Sequence, residues 1–178
     1  MPRVTLIGYR GTGKSTVAAL LAADLAVPWC DADAVLEERL GCTIAALVAG
    51  RGEDVFRDAE TAVLRDLLPS FPGVLATGGG VVLRPENRLL LRSAGRPVVW
   101  LAAPADVIRR RLAADPLTAA RRPALAGSDP LDEVADAVAV REPLYRESAD
   151  MMFDTGSVAP QAVAAAIRGW LDRTGGGP

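Results

Sequence analysis

Residues 8 to 16 read Gly8-Tyr9-Arg10-Gly11-Thr12-Gly13-Lys14-Ser15-Thr16, and this stretch decides the fold. It fits G-x-x-x-x-G-K-[ST], the phosphate-cradling P-loop. A strand-like run, RVTLIG over 3–8, precedes it. A helical pattern, TVAALLAADLA over 16–26, follows with Val17, Leu20, Leu21 and Leu25 on one stripe. The glycines open backbone conformations in which successive N–H groups face inward around phosphates. The helix adds its N-terminal N–H groups and dipole. Gly11, Thr12, Gly13, Lys14, Ser15 and Thr16 are therefore candidate nucleotide-binding residues. Of the chain's 20 lysines plus arginines, Lys14 is the one lysine. A compact ammonium on a flexible stem suits the reach to β- and γ-phosphates; a planar guanidinium fork does not.

The totals limit what else the chain is. Its 178 residues, half of them hydrophobic, suit one compact domain with a real core. A net charge of −2 gives no electrostatic case for nucleic acid or an anionic membrane as partner. No apolar run is long enough for a membrane span, and the N-terminus has no signal-peptide architecture. The two cysteines, Cys30 and Cys42, fit neither a metal site nor a disulfide framework, so a cytoplasmic location is expected. With no histidine, imidazole bases and His-ligated zinc are excluded.

Strands and helices alternate along the rest. Strands are expected at 27–31, 73–77, 97–103 and 151–155. Helices are expected from about 32 to Gly41, over 53–68, 85–94, 104–112, 161–171, and from about 131 to 149 with a break near Pro143. The alternation predicts an α/β fold, a parallel sheet with helices on both faces. One domain spans 1–173, with a frayed tail at 174–178. Residues 113–129, AADPLTAARRPALAGSD, carry no apolar stripe and read as a mobile lid.

Three further clusters bear on function. Asp31 and Asp33 follow the second strand, where parallel sheets gather ligands. They suit Mg²⁺ and an acceptor hydroxyl, and equally an ordinary helix N-cap. Arg57 and Glu60 stand at i,i+3 on the 53–68 helix, opposite its stripe of Phe56, Ala59, Val63 and Leu67. They read either as a solvated ion pair or as an arginine oriented to bind an anion. Gly78-Gly79-Gly80 follow the third strand, where something approaches the backbone closely or the chain simply turns.

Taken in register, these elements resemble the shikimate kinase family along nearly the whole chain. Besides the P-loop they comprise D-x-D at 31–33, G-E-x-x-F-R-x-x-E at 52–60, the triple glycine, R-P-x-L at 122–125 and R-x-P-L-Y at 141–145. The resemblance implies a three-layer αβα fold with a five-stranded sheet in order 2-3-1-4-5. It implies ATP-dependent phosphorylation of the 3-hydroxyl of shikimate by a monomer. Lys14, Asp33 and Arg122 would be catalytic. Asp33, Arg57, Gly78, Gly79, Gly80 and Arg141 would bind shikimate, in a region spanning about 31–60 and beyond. Ser15 would ligate Mg²⁺, with Asp31 reaching it through water. Arg122 would close over the phosphates, and one of Arg109, Arg110 and Arg111, with Arg111 favoured by its place in the pattern, would line the adenine site with Pro160. Phosphoryl transfer rests on positioning and charge stabilisation, so Asp33 is expected to align the hydroxyl first and take its proton late. Ala124 stands where the family more often has Leu, and Tyr9 and Trp29 have no expected role beyond packing or rim. The rival readings are a gluconate kinase-like enzyme, an adenylate-type kinase, a regulatory GTPase, whose N-K-x-D is absent, and a nucleotide-binding module without catalysis.

Overall fold

A computed structural model describes residues 1–114 and 133–175. Most of the expected lid, with Arg122, lies outside them, as do residues 176–178 of the expected tail.

Five strands form one parallel sheet: β1 Val4–Ile7, β2 Trp29–Asp31, β3 Val74–Ala76, β4 Val98–Ala102 and β5 Met151–Asp154, in the order β2-β3-β1-β4-β5. The helices are α1 Lys14–Leu25, α2 Ala32–Leu40, α3 Ile44–Arg51, α4 Glu53–Ser70, α5 Pro85–Ala94, α6 Ala105–Ala114, α7 Val134–Ser148 and α8 Pro160–Arg173. A short 3₁₀ turn covers Val81–Leu83.

Strand alternation builds the layers. Val4, Leu6, Val74, Ala76, Val99 and Leu101 pack with Val17 and Leu21 of α1 and Ile167 and Trp170 of α8. The intervening residues Ile7, Leu75, Val98 and Trp100 face Leu36 of α2, Phe56 and Leu64 of α4, Leu91 of α5 and Tyr145 of α7. β1 is buried along its whole length between β3 and β4. Its C-terminal end therefore opens at the centre of the sheet, and the P-loop leaves from there.

The expected elements are present, with two differences. α3 was not expected, yet Thr43 caps it by accepting from Ala46 N at 3.1 Å, and Ile44 and Leu47 are buried. α7 runs through Pro143 without a break. Both Pro143 and Ala139, whose carbonyl loses its usual helical donor, are exposed, so that face of the helix is open to solvent. The Thr174 N–H and hydroxyl both bond Trp170 O at the end of α8. Among the described residues no helix is long and apolar enough to cross a membrane.

Candidate active site

The P-loop wraps from β1 into α1. Gly13 caps α1 in the left-handed region, with φ 87°, a conformation closed to most residues. The first helical N–H groups thus face the loop. Thr12 Oγ1 donates to Tyr9 O at 2.8 Å. Lys14 is 8% exposed, and its Nζ donates to Gly8 O at 2.7 Å and Tyr9 O at 3.0 Å. The ammonium therefore already lies along the inside of the loop.

Asp31 is the helix N-cap that its sequence context allowed. It ends β2 and caps α2, its Oδ1 accepting from Asp33 N at 3.0 Å. Its Oδ2 accepts from Ser15 Oγ at 2.7 Å. One carboxylate thus joins the start of α1 to the start of α2.

The triple glycine is a place of close approach. A Cβ on Gly78 would stand 2.6 Å from Asp33 Oδ1 and 2.8 Å from Glu60 Oε1. On Gly79 it would meet Arg10 N at 2.9 Å, and on Gly80 it would meet Arg57 Nη1 at 2.3 Å. Two carboxylates, a guanidinium and the P-loop backbone all press against this turn, so side chains are excluded from it.

Arg57 is not a solvated ion pair. Its side chain is 7% exposed and that of Glu60 4%. Nη1 donates to Glu60 Oε2 at 2.9 Å, and Nη2 to Glu53 Oε1 at 2.9 Å. The guanidinium carbon also lies 4.6 Å from the centre of the Phe56 ring. Burial acts to lower its pKa, but Glu60 and Glu53 together outweigh that and raise it. Charges leave water at large cost unless paired with good geometry, which this pair has. Glu60 Oε1 is buried and has no hydrogen-bond partner among the described residues.

Arg141 reaches the same turn from α7, Nη1 donating to Gly79 O at 3.3 Å. The Tyr145 hydroxyl donates to the same carbonyl. Sequence reasoning passed over Tyr145, although its i,i+4 spacing from Arg141 puts both on one helix face. Arg111 leaves α6 toward the far side of the P-loop. It donates to Gly11 O at 3.3 Å and Thr155 O at 2.5 Å. With Gly13, Thr16, Val158 and Pro160 it lines a pocket of about 180 Å³. Thr155, a partner in this arrangement, had no signal beyond its place after β5. Of the expected site residues, only Arg122 lies outside the described residues.

Asp33, Arg57 and Arg141 therefore gather at Gly78–Gly80 on one side of the P-loop, and Arg111 and Pro160 on the other. Comparison with known proteins identifies the family. The family model described as shikimate kinase matches residues 10–172. Shikimate kinase of Nitratidesulfovibrio vulgaris is 52% identical over 147 residues, 83% of each chain. That of Rhodopirellula baltica is 47% identical over 150 residues, 84% of this chain and 80% of the relative. The solved shikimate kinase from Acinetobacter baumannii in complex with shikimate superposes with a TM-score of 0.88 at 33% identity, covering 96% of this chain and 93% of that one. A gluconokinase from Sinorhizobium meliloti, at 17% identity and a TM-score of 0.58, shares the fold alone. With the motifs in register and the matches extending over nearly its whole length, the chain belongs to the shikimate kinase family.

Proposed function

We propose that this ATP-dependent small-molecule kinase transfers the γ-phosphoryl group to the 3-hydroxyl of shikimate through the residues gathered at Gly78–Gly80. The observation that carries the assignment is the meeting of Arg57 and Arg141, from separate helices, on one glycine turn beside Asp33. Two guanidinium groups converging from different elements suit the carboxylate of a small polyol, because their forks match carboxylate geometry. The carboxylate of Asp33 aligns the acceptor hydroxyl. The hydroxyl oxygen bonds to the γ-phosphorus, the bond from that phosphorus to the bridging oxygen breaks, and the hydroxyl proton passes late to Asp33. Lys14 lies against the β- and γ-phosphates, and backbone N–H groups of the loop surround them. Arg111 and Pro160 border the adenine. Arg122 closes over the phosphates, a role whose support is the family resemblance. The same resemblance supports action as a monomer in the cytoplasm.

The oxygen donors at the start of α1 and α2 fit a hard cation. Ser15 Oγ and the carboxylate of Asp31 are adjacent, and among the described residues no larger acidic or sulfur cluster competes. They suit Mg²⁺, which keeps much of its coordination for phosphate and water. Bound there it would neutralise charge on the β- and γ-phosphates, with Ser15 as ligand and Asp31 reaching it through water.

The test is ADP release from Mg·ATP with shikimate, gluconate, AMP or no acceptor, for the wild type and Asp33→Asn. Release with shikimate alone is expected, together with turnover in Asp33→Asn at least about 10²-fold lower at a near-normal KM for ATP. Release with gluconate in preference to shikimate would reverse the acceptor assignment. Unimpaired turnover in Asp33→Asn would remove that residue from the chemistry.

A further inference from the structure

The two arginines of the acceptor side are held by opposite means. Arg57 is neutralised by Glu60 and Glu53. Arg141 has no carboxylate partner among the described residues. Besides the Gly79 carbonyl and the Tyr145 hydroxyl beside it, an aromatic ring holds it: its guanidinium carbon lies 5.1 Å from the centre of Tyr9.

Tyr9 belongs to the P-loop, whose residues face phosphate with their backbone. Its side chain is therefore available for a second task. It is 6% exposed and packs in a small apolar cluster with Ile108 and Leu112 of α6 and Val134 of α7. Val138, one turn before Arg141 on α7, is partly buried against the same cluster. The helix that presents Arg141 thus also seats the ring. Meanwhile the Tyr9 carbonyl accepts from Lys14 Nζ. One residue touches the phosphate-side cation through its backbone and the acceptor-side cation through its ring.

The choice of an aromatic partner has a chemical consequence. A carboxylate fixes an arginine but cancels its charge. A π face attracts a guanidinium through its quadrupole and leaves the charge whole. An arginine that must meet an incoming anion needs fixing without cancellation. We infer that Tyr9 is a positioning residue for the acceptor: its ring fixes Arg141 with its charge intact, so that Arg141 supplies most of the attraction for the substrate carboxylate while Arg57 sets its register. The inference rests on the assignment of Arg141 to that carboxylate.

The experiment compares kcat and the KM values for shikimate and ATP in the wild type, Tyr9→Leu, Tyr9→Phe, Arg141→Gln and the double variant Tyr9→Leu/Arg141→Gln. Leu keeps the apolar filling and removes the ring face; Phe keeps both. Tyr9→Leu is expected to raise the shikimate KM about five- to tenfold and leave that for ATP within about twofold. Tyr9→Phe restores the shikimate KM to within about twofold of wild type. In the Arg141→Gln background the effect of Tyr9→Leu disappears, as coupling through that arginine requires. A wild-type shikimate KM in Tyr9→Leu overturns the inference, and so does an effect that persists undiminished without Arg141. If instead Arg141→Gln itself leaves the shikimate KM unchanged, the assignment of Arg141 falls first and the inference with it. Should Tyr9→Leu not fold, Tyr9→Met, which fills the same space with an unbranched chain, takes its place in both comparisons.

Discussion

The turn at Gly78–Gly80 is where individual atoms decide most. A methyl group on Gly80 would lie 2.3 Å from Arg57 Nη1, well inside contact distance, and Arg57 has little room because Glu60 and Glu53 hold its fork. Gly80→Ala is therefore expected to raise the shikimate KM at least about tenfold while the ATP KM stays within about twofold. Gly50, inside α3, is the control: nothing lies within 4 Å of its Cβ position. Gly50→Ala is expected to stabilise by roughly 0.5–1 kcal/mol and leave both KM values alone. Steady-state kinetics and a denaturant midpoint on the two variants check this. Equal effects on both substrates in Gly80→Ala would mean that the turn serves the P-loop rather than Arg57. At this scale the sequence was legible in part. Lys14 and Ser15 announce themselves by spacing. The burial of Arg57 and Glu60 does not, because periodicity counts charged residues as surface, and only the fold brings the glycine turn against them.

The helices that carry the site are set by their first residues. Asp31 caps α2 and holds Ser15 at the start of α1, so a structural role and the proposed Mg²⁺ role fall on one carboxylate. Two substitutions separate them. Asp31→Asn keeps a capping oxygen and is expected to leave stability within about 0.5 kcal/mol of wild type while raising the Mg²⁺ concentration for half-maximal rate several-fold. Asp31→Ala should shift the Mg²⁺ response similarly and also lose about 1 kcal/mol, seen as a fall of roughly 2–4 °C in Tm. An unchanged Mg²⁺ response in both would reduce Asp31 to a cap. Nearly every strand and helix was legible from apolar spacing and from Pro and Gly boundaries. α3 was not, because its eight residues hold too few turns for a stripe to stand out, although Thr43 and Gly52 mark its ends. The continuity of α7 through Pro143 was also hidden, since only the fold shows which carbonyl faces water.

The sheet order came from the resemblance alone; strand periodicity cannot say which strands are neighbours, and the order follows from how the helices cover both faces. The whole chain also has an uncommon titration. It holds no histidine, so stability should be nearly flat between about pH 6 and pH 8. The alkaline side is different. Burial, helped by the charge of Asp31, lifts the Cys30 thiol from 9.0 to about 11. Burial also raises Tyr145, against the pull of Arg141. Both groups bind their proton more tightly when folded. Their contribution is thus whole below the unfolded pKa and lost as pH rises through the folded one. Tm should decline from about pH 9 upward, and Cys30→Ala should flatten the part between 9.0 and about 11. An identical decline in Cys30→Ala would assign it elsewhere. A last consequence comes from Lys14, the one side-chain amine in a chain whose other cations are arginines. Acylation of any side-chain amine is by necessity acylation of the nucleotide loop. An amine-coupled sensor surface that takes the protein through its side chains takes it by the P-loop ammonium, while coupling through a thiol leaves that loop unmodified.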